Sequence, residues 1–221
     1  MGDVVFHLAD KSMEAGLRAF FRRSNWHTVL ECARFEIDPK SDDDIFRVPR
    51  YKDGGVWKYA ATNLGNHIGR FEHAVVILDE HFDPWPGAAQ IRTDIEQNML
   101  AAGWTRERFE VIVIQPMMES WLWTDDASVG AAFGIANFSA LRNQWIEHGL
   151  WTFGEWKPKP ERMKEVTARA MDAGWRMMND SLFTTAFSEI HKEAVDQCIE
   201  PGFTQLRQTL QTWFPPNGGA A

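Results

Sequence analysis

The chain has 221 residues, of which 44% are hydrophobic and 13% aromatic, so it is long enough to bury one substantial core. Its formal net charge of −8 disfavours a protein that coats nucleic acids through broad electrostatic attraction. The apolar runs are too short to span a bilayer, no basic leader resembles a signal peptide, and the cysteines, Cys32 and Cys198, lack metal-ligand spacing. We therefore expect a reduced cytoplasmic protein that does not enter a membrane.

The first half of the sequence alternates between strand and helix patterns. In chain order it predicts a strand at 4–8, a helix at 12–23, a strand within 27–37 that is strongest at 28–32, a polar surface loop at 38–55, a helix at 56–71, a strand at 74–78, a helix at 88–102 and a strand at 109–114. This order predicts an α/β fold with a mostly parallel four-stranded sheet that helices cover on both faces.

The second half of the sequence is helical throughout. The predicted helices span 117–123, 127–135, 139–148, 161–177, 181–197 and 204–213. A segment rich in proline and glycine at 151–160 is the best candidate for a linker. We therefore divide the chain into an α/β core at 1–126, a helical region at 127–214 that packs on the core, and a disordered tail at 215–221.

An acidic cluster follows the apolar strand at 74–78. Asp79, His81 and Asp83 stand at alternate positions directly after this strand. A buried strand that delivers carboxylates to its C-terminal end can hold a divalent metal at the rim of an α/β sheet. The structural alternative is a strand that ends in a solvated acidic turn. Acidic residues elsewhere in the chain favour the metal interpretation.

Two of these acidic residues follow the first predicted strand. Asp10 ends it, and Glu14 lies one turn into the next helix. Both would also stabilise the N-terminus of that helix through its macrodipole, which explains acids here equally well.

Glu119 follows the fourth predicted strand, in an otherwise apolar segment. A carboxylate beside a core face usually has a partner, which can be a metal, an arginine or a backbone N–H. For Asp125 and Asp126, capping of the helix that begins near residue 127 is the favoured interpretation. Because the carboxyl ends of parallel strands meet at one edge, we expect Asp10, the Asp79–Asp83 cluster and the turn after Ile114 to converge there.

With these landmarks, the chain resembles a Toprim-like bacterial family often found beside restriction, DNA-modification and phage-defence genes. The resemblance covers roughly residues 3–214, and the family's landmarks occur in the same order. The matching segments are Asp10 to Glu14 for Glu-Gly-x-Thr-Glu, Asp79 to Asp83 for Asp-x-Asp, Glu119 to Asp125 for Glu-x-Trp-Leu-x-x-Asp, Pro158-Lys159 for a Pro-Lys pair, and Cys198 to Phe203 before the final helix.

The resemblance implies metal-dependent phosphodiester chemistry on nucleic acid, together with a role in genome defence. In this interpretation the ligands for Mg²⁺ or Mn²⁺ are Asp79, His81, Asp83, Glu119 and Asp125. The catalytic group consists of Asp10 and Glu14 as metal ligand or general base, Glu119, and Lys159 as a phosphate contact.

The sequence departs from the family pattern at two places. Asp10 is followed by Lys11 where the family has Glu-Gly, and His81 replaces the second aspartate of the Asp-x-Asp pair. Histidine binds Mn²⁺ or Zn²⁺ but is a poor ligand for Mg²⁺, although Asp83 could substitute for it. The alternative function is therefore a non-catalytic sensor or scaffold subunit of a multi-protein defence complex. Its tryptophan-rich helical half would then bind other defence-system proteins or a second copy in a homodimer.

Overall fold

A computed structural model of the chain describes residues 1–83, 86–123, 126–174, 180–190, 192–198 and 200–216. The strands are β1 (Gly2–Leu8), β2 (Ile45–Phe46), β3 (Phe71–Asp79) and β4 (Phe109–Ile114). The α-helices are α1 (Lys11–Phe21), α2 (Trp26–Leu30), α3 (Asp53–Gly65), α4 (Ala88–Ala101), α5 (Asp126–Phe133), α6 (Phe138–Glu147), α7 (Met163–Ala173), α8 (Asp180–Glu189), α9 (Lys192–Gln197) and α10 (Pro201–Trp213). Short 3₁₀ turns lie at Arg106–Arg108, Met118–Leu122 and Pro160–Arg162.

Within the part of the chain that the structure describes, four strands form one parallel sheet in the order β2-β1-β3-β4. The central strands β1 and β3 are almost continuously buried and apolar, which is the pattern of a parallel sheet covered on both faces. This architecture, with flanking helices and a helical second half, confirms the predicted α/β fold. In this part of the chain no helix is long and apolar enough to cross a membrane.

The prediction of a strand at 28–32 is wrong, because this segment belongs to helix α2. Trp26, Val29 and Leu30 are buried, and their spacing of three and four residues is that of one helix face. The chain leaves the helix at Glu31, whose φ of 55° lies in the left-handed region. The second strand is instead β2, inside the segment predicted to be a loop. Its two residues are too few to produce an alternating pattern.

The helical half packs directly on the α/β half. Helix α8 lies against α1, and α10 lies against β4 and α2. The buried apolar side chains of both halves form one continuous cluster. The helix predicted at 117–123 is a 3₁₀ turn, and the helix predicted at 181–197 is two helices, α8 and α9. The last residues of the helix predicted at 161–177, and residues 217–221 of the predicted tail, lie outside the described residues.

Helix α7 ends where its backbone meets the end of α5. A Cβ atom added at Gly174 would lie 1.6 Å from the carbonyl oxygen of Phe133. Only glycine permits so close an approach of the two backbones. By contrast, a Cβ added at Gly65, the last residue of α3, would meet nothing within 4 Å.

Candidate functional site

The C-terminal ends of β1, β3 and β4 lie side by side, because Leu8 pairs with Ile77 and Asp79 pairs with Ile114. Asp10 follows β1 and caps α1, its Oδ1 accepting a hydrogen bond from the backbone N–H of Met13 at 2.8 Å. The predicted convergence of strand ends at one edge of the sheet is therefore confirmed.

Four carboxylates meet at this edge, and we call Asp10, Asp53, Asp79 and Glu119 the carboxylate cluster. Glu119 lies in the 3₁₀ turn Met118–Leu122 that follows β4. The negative charge of each of the other three members raises the pKa of Asp79. The topology thus unites Asp10, Asp79 and Glu119, which the sequence had singled out, with a residue that it had not.

That residue is Asp53, the first residue of α3. Its Oδ1 accepts a hydrogen bond of 2.7 Å from the backbone N–H of Asp79, so it fixes the end of β3. The sequence placed Asp53 in a surface loop and gave it no role. The signal that could have found it is an aspartate in the first turn of a helix that precedes a buried strand, since such a helix begins at the C-terminal edge of the sheet.

Asp79 is the most perturbed member of the cluster. Burial raises its pKa well above the ordinary value, the negative charges of Asp53, Glu119 and Asp10 raise it further, and the backbone N–H of Met118 opposes the shift. The residue as a whole is half-buried, but its Oδ1 atom is buried and has no hydrogen-bond partner among the described residues. A buried carboxylate oxygen without a partner is costly, so this atom points to a ligand.

The pKa values of two other members are also raised. Burial raises the pKa of Asp53, and its hydrogen bond from the backbone of Asp79 opposes that shift. Burial likewise raises the pKa of Glu119, while the ammonium group of Lys164 on α7 lowers it. The cluster is therefore poorly solvated, and one cation of the helical half already acts on it.

The residues present fit a hydrated divalent cation. Among the described residues, no group of three His, Cys, Asp or Glu side chains is already arranged to hold a metal ion. Mg²⁺ usually keeps several waters and binds one or two carboxylates together with substrate phosphates, so it does not require a cage of three side chains. The donors of the cluster are all carboxylate oxygens, which suit Mg²⁺ and Mn²⁺. The unpartnered Oδ1 of Asp79 is the atom best placed to become a ligand.

Two further metal candidates, His81 and Asp83, follow β3 at the surface. The side chains of His81 and Asp83 are exposed, and the backbone N–H of His81 donates to the carbonyl oxygen of Pro116. Asp125 lies outside the described residues. Asp126 begins α5 and accepts hydrogen bonds from Arg142 at 2.6 Å and from Ser139 at 2.5 Å.

Glu14 and Lys159 have other surroundings as well. The carboxylate of Glu14 forms ion pairs with Arg18 at 3.0 Å and with Arg47 at 2.8 Å, so both of its oxygens are engaged with guanidinium groups. Lys159 directly precedes the 3₁₀ turn Pro160–Arg162. The lysine that reaches the sheet edge is its neighbour Lys157, whose Nζ donates to the carbonyl oxygen of Gln115 at 3.0 Å.

Sequence reasoning also missed Glu200, a buried carboxylate that supports this edge. Its oxygens accept hydrogen bonds from Trp121 Nε1 at 2.6 Å, from the backbone N–H of Phe203 at 2.7 Å and from that of Gln115 at 3.4 Å. Glu200 therefore ties the turn that carries Glu119 to the end of β4 and to the start of α10. Its signal in the sequence is only that of an acidic N-cap before a proline.

Comparison with known proteins gives no further assignment, since no family model, curated protein or solved structure matches this chain.

Proposed function

We propose that this protein is a nuclease or related enzyme that cleaves phosphodiester bonds of nucleic acid with the help of Mg²⁺ or Mn²⁺. The observation that carries the proposal is the buried, unpartnered Oδ1 of Asp79, surrounded by three further carboxylates at the C-terminal edge of a parallel sheet. The resemblance of the sequence to a Toprim-like family found beside phage-defence genes supports a role in such a system.

Asp79 and Glu119 would hold the cation, and Asp10 and Asp53 would add negative charge beside it. The cation would polarise the phosphate and lower the pKa of an attacking water. Asp53 orients Asp79 through the hydrogen bond to its backbone N–H, and Asp10 is held by the backbone of Met13. A divalent cation would relieve the repulsion among these carboxylates, because it supplies the opposite charge that the cluster lacks.

Phosphate must be attracted to an otherwise acidic protein. Two cations of the helical half act at this edge, since Lys157 donates to Gln115 and the charge of Lys164 acts on Glu119. A third cation, Lys52, belongs to the α/β half and acts on Asp53. These lysines would supply the positive charge that holds the substrate beside the carboxylates.

The test is incubation of the purified protein with plasmid DNA, single-stranded DNA and RNA, in the presence of Mg²⁺, Mn²⁺ or EDTA. We expect cleavage that EDTA abolishes and that Asp79→Asn and Glu119→Gln reduce by at least about a hundredfold, by analogy with the loss of other groups that stabilise transition-state charge. Asp83→Asn is the matched control, because it removes an exposed aspartate of the same segment outside the carboxylate cluster.

Two results would contradict the proposal. Cleavage by Asp79→Asn at the wild-type rate would remove the cluster from the chemistry. Absence of cleavage on every substrate, combined with absence of Mg²⁺ and Mn²⁺ binding in calorimetry, would instead favour the non-catalytic sensor or scaffold subunit.

A further inference from the structure

A cavity of about 580 Å³ lies in the helical half, between α5, α6 and the loop that follows them. Its volume is in the range of sites for small organic ligands, roughly 300–1,000 Å³. Five of the side chains that line it are aromatic, namely Trp123, Phe138, Trp151, Phe153 and Trp156. An aromatic lining of this kind favours a flat ligand that stacks.

The floor of the cavity consists of packed aromatic rings. Trp123 is fully buried and stacks on Phe138, with ring centroids 6.0 Å apart and planes 27° apart. The Nε1 of Trp151 donates to the carbonyl oxygen of Glu155 at 2.9 Å, which closes the loop at the rim of the cavity. These rings are held by the fold itself, so a ligand would not have to order them on binding.

The rim of the cavity carries an aromatic ring that the fold does not use. The side chain of Phe153 is 84% exposed, so it contributes little to the hydrophobic core. It stands in a tight turn that Gly154, with φ of 83°, allows. The half-buried Trp156 lies on the same rim, and the ammonium of Lys157 is 4.8 Å from the centroid of its ring. Two aromatic faces thus border the opening, and a cation lies against one of these rings.

The cavity also offers polar groups for the edge of a planar ligand. Arg142 and Asp126 form an ion pair of 2.6 Å in its wall, and the exposed Asn143 lines it as well. Amide, carboxylate and guanidinium groups provide both donors and acceptors. A heterocycle with both kinds of group on its edge, such as a nucleobase, matches this combination better than a hydrocarbon would.

The chain connects this cavity to the carboxylate cluster in two ways. Trp123 directly follows the 3₁₀ turn that carries Glu119. From the other side of the cavity, the loop runs from Trp156 into Lys157, whose Nζ donates to Gln115 at the end of β4. The segment then continues to Lys164, whose charge acts on Glu119. Positive charges therefore lie along the segment that joins the stacking surface to the carboxylates.

We propose that this cavity binds an unpaired nucleobase, stacked on Phe153 and Trp156, while Lys157 and Lys164 hold the phosphates that lead toward the carboxylate cluster. The inference rests on the proposed function, because it assigns a single-stranded nucleic acid as the substrate class of that site. Stacking on aromatic side chains is tolerant of sequence, since every base presents a π-face. Recognition at the cavity would therefore select unpaired strands rather than a particular sequence.

The experiment measures binding, not cleavage. A short fluorescein-labelled single-stranded DNA is titrated with the full-length protein in EDTA, and its anisotropy gives the Kd. We expect Phe153→Ala to weaken binding by about five- to one-hundred-fold, and Phe153→Trp to retain it. Leu100→Ala is the matched control, because it removes an exposed apolar side chain of α4 outside the cavity and should leave the Kd unchanged. A strand of abasic sites should bind wild type and Phe153→Ala equally weakly.

Competition with AMP tests whether a single nucleotide is enough to occupy the cavity. Displacement of the labelled strand by AMP would show that one nucleotide fills the cavity, and failure of AMP to compete would show that a longer strand is required. The inference is overturned if wild type binds no strand, if Phe153→Ala binds as tightly as wild type, or if the abasic strand binds as tightly as the natural one.

Binding and cleavage separate this inference from the proposed function. Metal-dependent cleavage with no effect of Phe153→Ala on binding would contradict the nucleobase site alone. Base-dependent binding without cleavage, combined with absence of Mg²⁺ and Mn²⁺ binding, would contradict the enzyme proposal alone.

Discussion

His7 provides a quantitative prediction for the pH dependence of stability. Its ring is completely buried in the sheet, packs 4.6 Å from the ring of Phe46 on β2, and its Nε2 lies 2.8 Å from Nδ2 of Asn63. Burial lowers the pKa of His7 from 6.5 to about 4, the backbone of Leu8 opposes this shift in part, and the charge of His67 adds to it. The folded protein therefore resists protonation of this ring.

The sign of the effect follows from the pH at which each state binds the proton. As the pH falls through 6.5 the unfolded chain binds a proton at His7, while the folded chain does so only near pH 4. Stability is therefore complete above about pH 6.5 and is lost as the pH falls. At about 1.4 kcal/mol per pKa unit, we expect a loss of about 2 kcal/mol at pH 5 and about 3 kcal/mol at pH 4.

The assay is urea denaturation from pH 7.5 to pH 4, followed by tryptophan fluorescence, for wild type and His7→Phe. The buried carboxylates with raised pKa values act in the opposite direction, so the difference between the two proteins isolates His7. Wild type should lose stability relative to the variant by the amounts above. Parallel curves for the two proteins across this range would refute the reasoning.

Three further predictions concern the carboxylate cluster, the hydrogen bonds of Glu200 and the close backbone approach at Gly174. Asp79→Asn should raise the free energy of unfolding without metal by about 1–3 kcal/mol, because it removes a buried charge. Asp83→Asn should change the free energy of unfolding by less than about 0.5 kcal/mol. A lower free energy of unfolding for Asp79→Asn than for wild type would contradict this. Glu200→Ala should lower the free energy of unfolding, measured by chemical denaturation, by about 3 kcal/mol or more. Glu200→Gln should lower it clearly less, since the amide keeps one hydrogen-bond acceptor. Equal decreases for the two variants would be evidence against the role of these hydrogen bonds. Gly174→Ala should lower the free energy of unfolding by about 3 kcal/mol and the Tm by several degrees. Gly65→Ala should raise the free energy of unfolding by up to about 1 kcal/mol. An unchanged Tm for Gly174→Ala would refute the close backbone approach.

The sheet and the convergence of its strand ends could be predicted because their signals are local. The run at 74–78 is apolar and long enough for a buried strand, and the topology of a parallel sheet places its C-terminal residue beside those of its neighbours. Asp79 ends β3, and Asp10 and Glu119 lie within a few residues of the ends of β1 and β4, so their positions near this edge were available from the sequence. Glu14 was singled out as a catalytic residue, but its carboxylate is engaged with Arg18 and Arg47, and Arg47 comes from a distant segment that could not be foreseen.

The parts that sequence reasoning missed depend on tertiary contacts. The strand β2 exists because Ile45 pairs with Phe6, and two residues carry no period of their own. Asp53 acquires its position from a hydrogen bond to a residue far along the chain, and Glu200 acquires its burial from the packing of α10 against β4. A single sequence shows the first-turn position of Asp53 and the N-cap position of Glu200, but it does not show which distant residues they contact.

The packing of α8 on α1 limits how this protein can evolve. Helix α1 presents one face to the sheet and another to α8, where a Cβ atom at Gly16 would come within 3.3 Å of the ring of Phe187. The same helix is capped by Asp10, a member of the carboxylate cluster. The helical half therefore cannot be replaced independently of the α/β half. Recombination that replaced it would also have to remodel the helix whose first turn holds one of the four carboxylates.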